Sequence, residues 1–66
     1  MDAIKIGKRL RALRGDKLAK EVAAAIGVSE SAVFSYENDA RIPRDDTKVK
    51  FSKYYGRSIE ELFYTE

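Results

Sequence analysis

The chain has no cysteine and no histidine, and this absence excludes several kinds of chemistry. It can form no disulfide, offers no thiol nucleophile, and has neither a thiolate nor an imidazole to bind a transition metal. It also lacks the one side chain whose ordinary pKa lies near neutrality, which general acid-base catalysis uses most often. We therefore expect that the protein is not an enzyme and holds no metal ion or other cofactor.

Long hydrophobic stretches are absent as well. No run approaches the roughly 20 apolar residues that a membrane-spanning helix needs. The first residues also lack the apolar segment and small-residue cleavage site of a signal peptide. We therefore expect no membrane contact and a cytoplasmic setting.

The chain is short, with 66 residues, and this length predicts one domain over residues 1–66. Domains this small usually need disulfides, a metal ion or self-association for stability, and only self-association is open to this chain. We therefore expect a homodimer. The length leaves no room for a second, ligand-sensing domain, so we expect no small-molecule substrate.

Charge is distributed unevenly along the chain. The first 20 residues carry seven Lys or Arg against two Asp, whereas the rest carries six against nine acids, for a total of +2. A basic face attracts phosphate groups. The same charges would also solvate the outside of an amphipathic helix, so charge alone leaves both interpretations open.

The spacing of apolar residues predicts five helices and no strand, hence an all-α fold. Serines at positions 29 and 58 are candidate N-caps, and glycines at 15, 27 and 56 are candidate helix ends. The predicted helices cover residues 3–14, 18–26, 30 to about 38, 44 or 45 to 55, and a short segment after residue 58.

The second and third predicted helices have the features of a helix-turn-helix unit over residues 18–37. Such a unit needs a small residue where the helices cross, a glycine in the turn, and apolar residues that fix the crossing. Ala23 and Gly27 meet the first two requirements, and Val28 and Val33 meet the third.

Four stretches, residues 6–14, 22–29, 33–38 and 55–63, occur in an order that resembles a known family. The sequence is similar to the phage-repressor and Cro-like (XRE-type) helix-turn-helix domains. This resemblance implies a five-helix bundle of the lambda-repressor-like type, usually dimeric, that binds double-stranded operator DNA and regulates transcription.

The resemblance also implies roles for individual residues. It places base-reading side chains at the start of the third helix: Glu30, Ser31 and Ser35, with Phe34 beside them. It implies phosphate contacts near the start of the second helix and after the third, from Lys17, Lys20, Asn38 and Arg41. It further implies a structural ion pair between the first and third helices, formed by Arg14 and Glu37.

Several positions depart from the family pattern. Ala19 stands where glutamine is common, Leu18 where a serine or threonine caps the second helix, and Asp39 where glycine is common. Glu30 either accepts a hydrogen bond from cytosine or only stabilises the helix N-terminus through the dipole. Phe34 is either a contact for a thymine methyl group or an anchor for a protein partner.

The sequence thus favours a Cro-like repressor that binds a palindromic operator as a homodimer, with half-sites about 34 Å apart. The alternative is a protein-interaction or antitoxin-like helix-turn-helix module with weakened DNA binding. The missing glutamine at Ala19 and the acidic Glu30 favour this alternative.

Overall fold

The structure, a computed structural model, describes residues 2–65, and this part of the chain contains five helical segments and no β-strand. The first four are α-helices and the fifth is a single turn of π-helix, which we call the C-terminal turn. The segments are α1 (Ala3–Arg14), α2 (Ala19–Ile26), α3 (Glu30–Glu37), α4 (Asp45–Tyr55) and the C-terminal turn (Glu60–Tyr64). The predicted all-α fold with five helices is confirmed.

The helix starts show how local chemistry sets the boundaries. At the start of α1 the Asp2 carboxylate accepts a hydrogen bond from the Ile4 amide (2.9 Å), as an N-cap does. Leu18 has an extended backbone (φ −75°, ψ 142°) and is the N-cap position, so α2 begins one residue later than predicted. Its side chain has no acceptor for the first helical amides. The carboxylate of Glu21 instead accepts from the Leu18 amide (3.1 Å), which stabilises this end from within the helix.

The last element keeps its predicted cap but not its predicted type. The Ser58 hydroxyl accepts from the Glu61 amide (3.0 Å) and the Glu61 carboxylate accepts from the Ser58 amide (3.2 Å), so the capping box is present. The segment nevertheless winds as a π-helical turn. The guanidinium of Arg9 donates to the carbonyls of Leu62 (2.6 Å) and Thr65 (2.9 Å) and so holds this turn against α1.

The core lies where α3 meets α1 and α2, with α4 behind α2 and the C-terminal turn beside α1. Phe51 is at the centre of an aromatic cluster, with the rings of Tyr36, Tyr55 and Phe63 at 5.8, 6.0 and 6.4 Å. The buried apolar residues are Ile6, Leu10, Ala19, Val22, Ala23, Ile26, Ala32, Val33, Tyr36, Phe51, Leu62 and Phe63.

The inward face of α4 combines buried and half-buried residues. Thr47 and Phe51 are buried, and Tyr54 and Tyr55 are half-buried. Lys48 is buried, which the sequence analysis missed. Its ammonium group donates to the Tyr64 hydroxyl (3.1 Å) and lies 5.7 Å from the centre of the Phe63 ring, so aromatic contact and a hydrogen bond offset its desolvation.

Candidate nucleic-acid interface

The turn between α2 and α3 positions the candidate recognition helix. Gly27 ends α2 in the left-handed conformation (φ 76°), which glycine adopts without strain. Two residues later the Ser29 hydroxyl accepts from the Ala32 amide (3.0 Å) and starts α3, the N-cap that the sequence predicted. Val28 lies between them, half-buried against the core. The direction of α3 is therefore fixed within three residues.

The two faces of α3 have different surroundings. Its inner face is buried and consists of Ala32, Val33, Tyr36 and Glu37. The residues that the resemblance assigns to base reading lie on the other face: Glu30, Ser31 and Phe34 are exposed and Ser35 is half-buried. The bundle therefore leaves this outer face free to enter a groove of DNA, whose width admits an α-helix.

Phe34 is the large apolar side chain of this outer face, and 42% of it is exposed. The guanidinium of Arg14 lies over the ring, with its central carbon 5.8 Å from the ring centre. Such a contact is a cation–π interaction. The ring therefore contacts Arg14 and still presents a part of its surface to solvent.

Arg14 and Glu37 form the ion pair that links α1 and α3. The guanidinium donates through Nε to Oε2 of Glu37 (2.8 Å) and through NH2 to Oε1 (3.1 Å), a two-point contact. The side chains are 11% and 3% exposed, so water competes little. Hydrogen bonding to Glu37 raises the pKa of Arg14 above its usual value.

A third donor of Arg14 reaches the loop before α2. Its NH1 donates to the backbone carbonyl of Lys17 (2.9 Å), and the Lys17 amide donates back to the Arg14 carbonyl (3.0 Å). The Lys17 ammonium lies 5.1 Å from the centre of the Tyr54 ring on α4. Lys17, a predicted phosphate contact, thus has its backbone fixed by α1 and its side chain placed by α4.

The other predicted phosphate contacts lie on the surface at two places in the chain. Lys20 is exposed in the first turn of α2, and Asn38 is exposed at the end of α3. Arg41 is exposed in the following loop, with its guanidinium 5.3 Å from the centre of the Tyr36 ring. Within residues 2–65, Lys17, Lys20 and Arg41 form no ion pair with an acid, so their charges are available to an anion.

The loop after α3 contains a residue with a left-handed backbone. Asp39 has a positive φ (66°) and is the sole non-glycine residue in the described part of the chain that does, whereas Asn38 stays right-handed. This turn lets the amides of Ala40 and Arg41 both donate to the Ser35 carbonyl (3.0 and 3.3 Å). The backbone of Arg41 is thereby tied to the end of α3.

Gly7 is a residue whose role the sequence analysis did not assign. A Cβ atom at this position would lie 2.5 Å from both the Glu37 carbonyl oxygen and Oδ1 of Asp39. Only glycine lets α1 approach the end of α3 so closely. A glycine inside a helical pattern was the available signal, since it often marks close packing.

The burial of Ala19 clarifies one departure from the family pattern. Ala19 is 3% exposed and carries only a methyl group, so it offers no hydrogen-bonding side chain to DNA. Leu18 beside it is 61% exposed. The start of α2 thus presents an apolar side chain and the ammonium group of Lys20 rather than the polar pair common in the family.

Two further features of residues 2–65 bear on function. No group of three or more acidic or other metal-binding side chains in this range is placed to hold a metal ion. None of the helices formed by these residues is both long enough and apolar enough to span a bilayer.

Comparison with known proteins gives one match. A family model described as helix-turn-helix matches residues 8–62, which covers α2, α3 and α4 and most of α1. No curated protein and no solved structure matches the chain. The matched range contains the Arg14–Glu37 pair and the outer face of α3.

Proposed function

Since the chain belongs to the XRE-type helix-turn-helix family of DNA-binding transcription regulators, we propose that it is a repressor that binds a palindromic operator as a homodimer. The observation that carries this proposal is the open outer face of α3. Glu30, Ser31 and Phe34 project from a helix whose opposite side is fully buried.

In the proposed complex α3 lies in the major groove, as the second helix of such units does. Ser31 and Ser35 donate or accept hydrogen bonds at base edges, and Glu30 accepts from the amino group of a cytosine. Phe34 packs its exposed ring against a thymine methyl group. These four side chains provide sequence discrimination.

Phosphate contacts provide the remaining affinity. Lys17 and Lys20 at the start of α2, with Asn38 and Arg41 after α3, would contact the backbone on the two sides of the groove. Such contacts fix the orientation of the protein on the duplex and make binding sensitive to salt.

Homodimer formation would raise affinity for a palindromic site, because each copy contacts one half-site. One small domain buries little surface on DNA, and two linked copies address half-sites one helical turn apart, about 34 Å. Tyr64 is 54% exposed beside the buried Phe63, so the C-terminal turn has apolar surface to share with a second copy.

The competing function is a protein-interaction or antitoxin-like module with weak DNA binding. The specific observation in its favour is exposed apolar surface at Leu18 and Phe34, 61% and 42% exposed. A protein partner would cover these side chains, and the acidic Glu30 would then face a basic group on that partner.

Selection from a library of random duplexes at low salt tests the proposal. We expect enrichment of a palindromic motif, and we expect Glu30→Ala and Ser31→Ala to change the preferred base at one position in each half-site. Lys53→Ala, which removes an exposed side chain from α4, is the control and should leave the motif unchanged. Failure to enrich any sequence would favour the interaction module.

A further inference from the structure

We propose that Arg14 is a positioning residue for base recognition, because it holds the Phe34 ring in the orientation that meets a thymine methyl group. This inference rests on the proposed DNA-binding function and adds a residue that does not itself touch DNA. It assigns the Arg14–Glu37 pair a role in sequence discrimination in addition to its role in packing.

The first argument is geometric. The Arg14 guanidinium is fixed by three hydrogen bonds, two to Glu37 (2.8 and 3.1 Å) and one to the Lys17 carbonyl (2.9 Å). A planar group held at three points has a fixed plane, and Phe34 lies against it at 5.8 Å. The ring therefore contacts a group that hydrogen bonds anchor to Glu37 of α3 and to the Lys17 carbonyl.

The second argument concerns what else restrains the ring. Phe34 is outside the buried core, and 42% of it is exposed. A half-exposed aromatic side chain on a helix can occupy more than one rotamer unless a neighbour favours one. Within residues 2–65, the Phe34 ring has one cation–π contact, with the guanidinium of Arg14.

The third argument is that lysine cannot replace arginine here. An ammonium group carries the same charge but has no planar face for the ring and no fork that reaches Glu37 and the Lys17 carbonyl together. Arg14→Lys should therefore keep the charge of the pair while it releases the Phe34 ring. Arg11→Lys is a matched control, since Arg11 is an exposed arginine of the same helix that reaches only the Gly15 carbonyl (3.3 Å).

The experiment compares thymine with deoxyuridine, which lacks only the methyl group. The probe is the duplex that the wild-type protein enriches from a random library, with deoxyuridine at each thymine in turn. We expect one position per half-site at which the wild type binds the deoxyuridine duplex about fourfold more weakly, the effect of one buried methyl group. Arg14→Lys should reduce this ratio to about one, whereas Arg11→Lys should keep it.

Two further measurements separate positioning from folding. The dependence of affinity on salt should be nearly the same for Arg14→Lys and the wild type, because Lys17 keeps its amide hydrogen bond to the Arg14 carbonyl (3.0 Å) and its ammonium group keeps its contact with the Tyr54 ring. In the free protein, NMR coupling constants of labelled Phe34 should report one χ1 rotamer in the wild type and averaging in Arg14→Lys. If Arg14→Lys does not fold, the pair Arg14→Met with Glu37→Leu removes the guanidinium without leaving a buried charge, and it should lose the methyl ratio as well.

The outcomes distinguish the two proposals. An enriched duplex with no methyl dependence, or a methyl ratio that persists in folded Arg14 variants, would overturn the positioning role and leave the repressor proposal standing. If the wild type enriches no duplex, both proposals fail. Loss of the methyl ratio in Arg14→Lys, with the ratio kept in Arg11→Lys, supports the role of Arg14.

Discussion

The two faces of α3 differ in how many contacts they make with the rest of the protein. The inner face is fixed by the core, by the fork between Glu37 and Arg14, and by the close approach of Gly7. The outer face has exposed residues and one ring contact from Arg14. Because the outer residues are not part of the buried core, their identity is available for recognition. Substitutions on the two faces should therefore separate stability from binding.

The largest expected effect is on the inner face, at Glu37. Glu37→Ala leaves the nearly buried Arg14 without its partner, and breaking a buried pair typically costs about 3–5 kcal/mol. We expect a loss of about 3 kcal/mol in the free energy of unfolding, measured by urea denaturation. Glu30→Ala on the outer face is the control and should change stability by no more than about 0.5 kcal/mol. Equal effects at the two glutamates would remove the distinction between the faces.

Gly7 tests the same inner face from the side of α1. Gly7→Ala places a Cβ atom 2.5 Å from the Glu37 carbonyl oxygen, a backbone atom that cannot rotate away. Overpacking of this kind costs about 1–3 kcal/mol, and we expect about 2 kcal/mol in chemical denaturation. Lys8→Ala, at the next and exposed position of α1, should be nearly neutral. A Gly7→Ala protein as stable as the wild type would show that α1 and α3 are not in close contact here.

The start of α3 positions both of its faces, and Ser29 is the N-cap residue at that start. Ser29→Ala removes the acceptor for the Ala32 amide (3.0 Å), and loss of an N-cap typically costs about 1 kcal/mol. Thermal unfolding should show this loss, whereas Ser31→Ala, two residues later on the exposed face, should leave the melting temperature unchanged. A reversed order of the two variants would contradict the cap assignment.

The smallest expected effect concerns Tyr55, whose buried hydroxyl has no hydrogen-bond partner within residues 2–65. Tyr55→Phe should stabilise the protein by about 0.5–1 kcal/mol at neutral pH, because an unpartnered buried hydroxyl is unfavourable. Tyr64→Phe is the matched control and should be slightly destabilising, since it removes the hydrogen bond from Lys48. A destabilised Tyr55→Phe protein would show that this hydroxyl is partnered in solution.

The same tyrosine predicts a pH dependence. Burial, together with the negative charge of Glu37, raises the pKa of Tyr55 from 10.0 to about 12. Because Tyr55 ionises more readily in the unfolded chain, its ionisation does not affect the free energy of unfolding below pH 10 and lowers it as pH rises toward 12. Unfolding free energies measured across this range should fall less steeply in Tyr55→Phe than in the wild type.

The sequence predicted most helix boundaries because they depend on local signals. The caps at Ser29 and Ser58 and the glycine ends at Gly27 and Gly56 lie where expected, and each depends on groups within a few residues. The start of α2 lies one residue later than predicted because Leu18 has an extended backbone (φ −75°, ψ 142°) and is the N-cap position rather than the first helical residue.

Contacts between residues far apart in the chain were harder to predict. Arg9 binds carbonyls 53 and 56 residues away, and Lys48 is buried against the C-terminal turn. Neither contact leaves a local mark on the sequence, although Lys48 precedes Phe51 by three residues and therefore shares its helix face. The ring contact between Arg14 and Phe34 likewise depends on how α1 packs against α3, which local sequence does not indicate.

The dependence of DNA affinity on salt tests the DNA-binding account most directly. If Lys17, Lys20 and Arg41 of each protomer contact phosphates, the dimer makes six such contacts. Raising the salt concentration from 50 to 200 mM should then weaken binding to the selected duplex about a thousandfold. Fluorescence anisotropy should show this fall, and Lys17→Ala should make the slope shallower by about one unit per protomer. An affinity that hardly changes over this range would contradict phosphate binding by these residues and, with it, the placement of α3 in the groove.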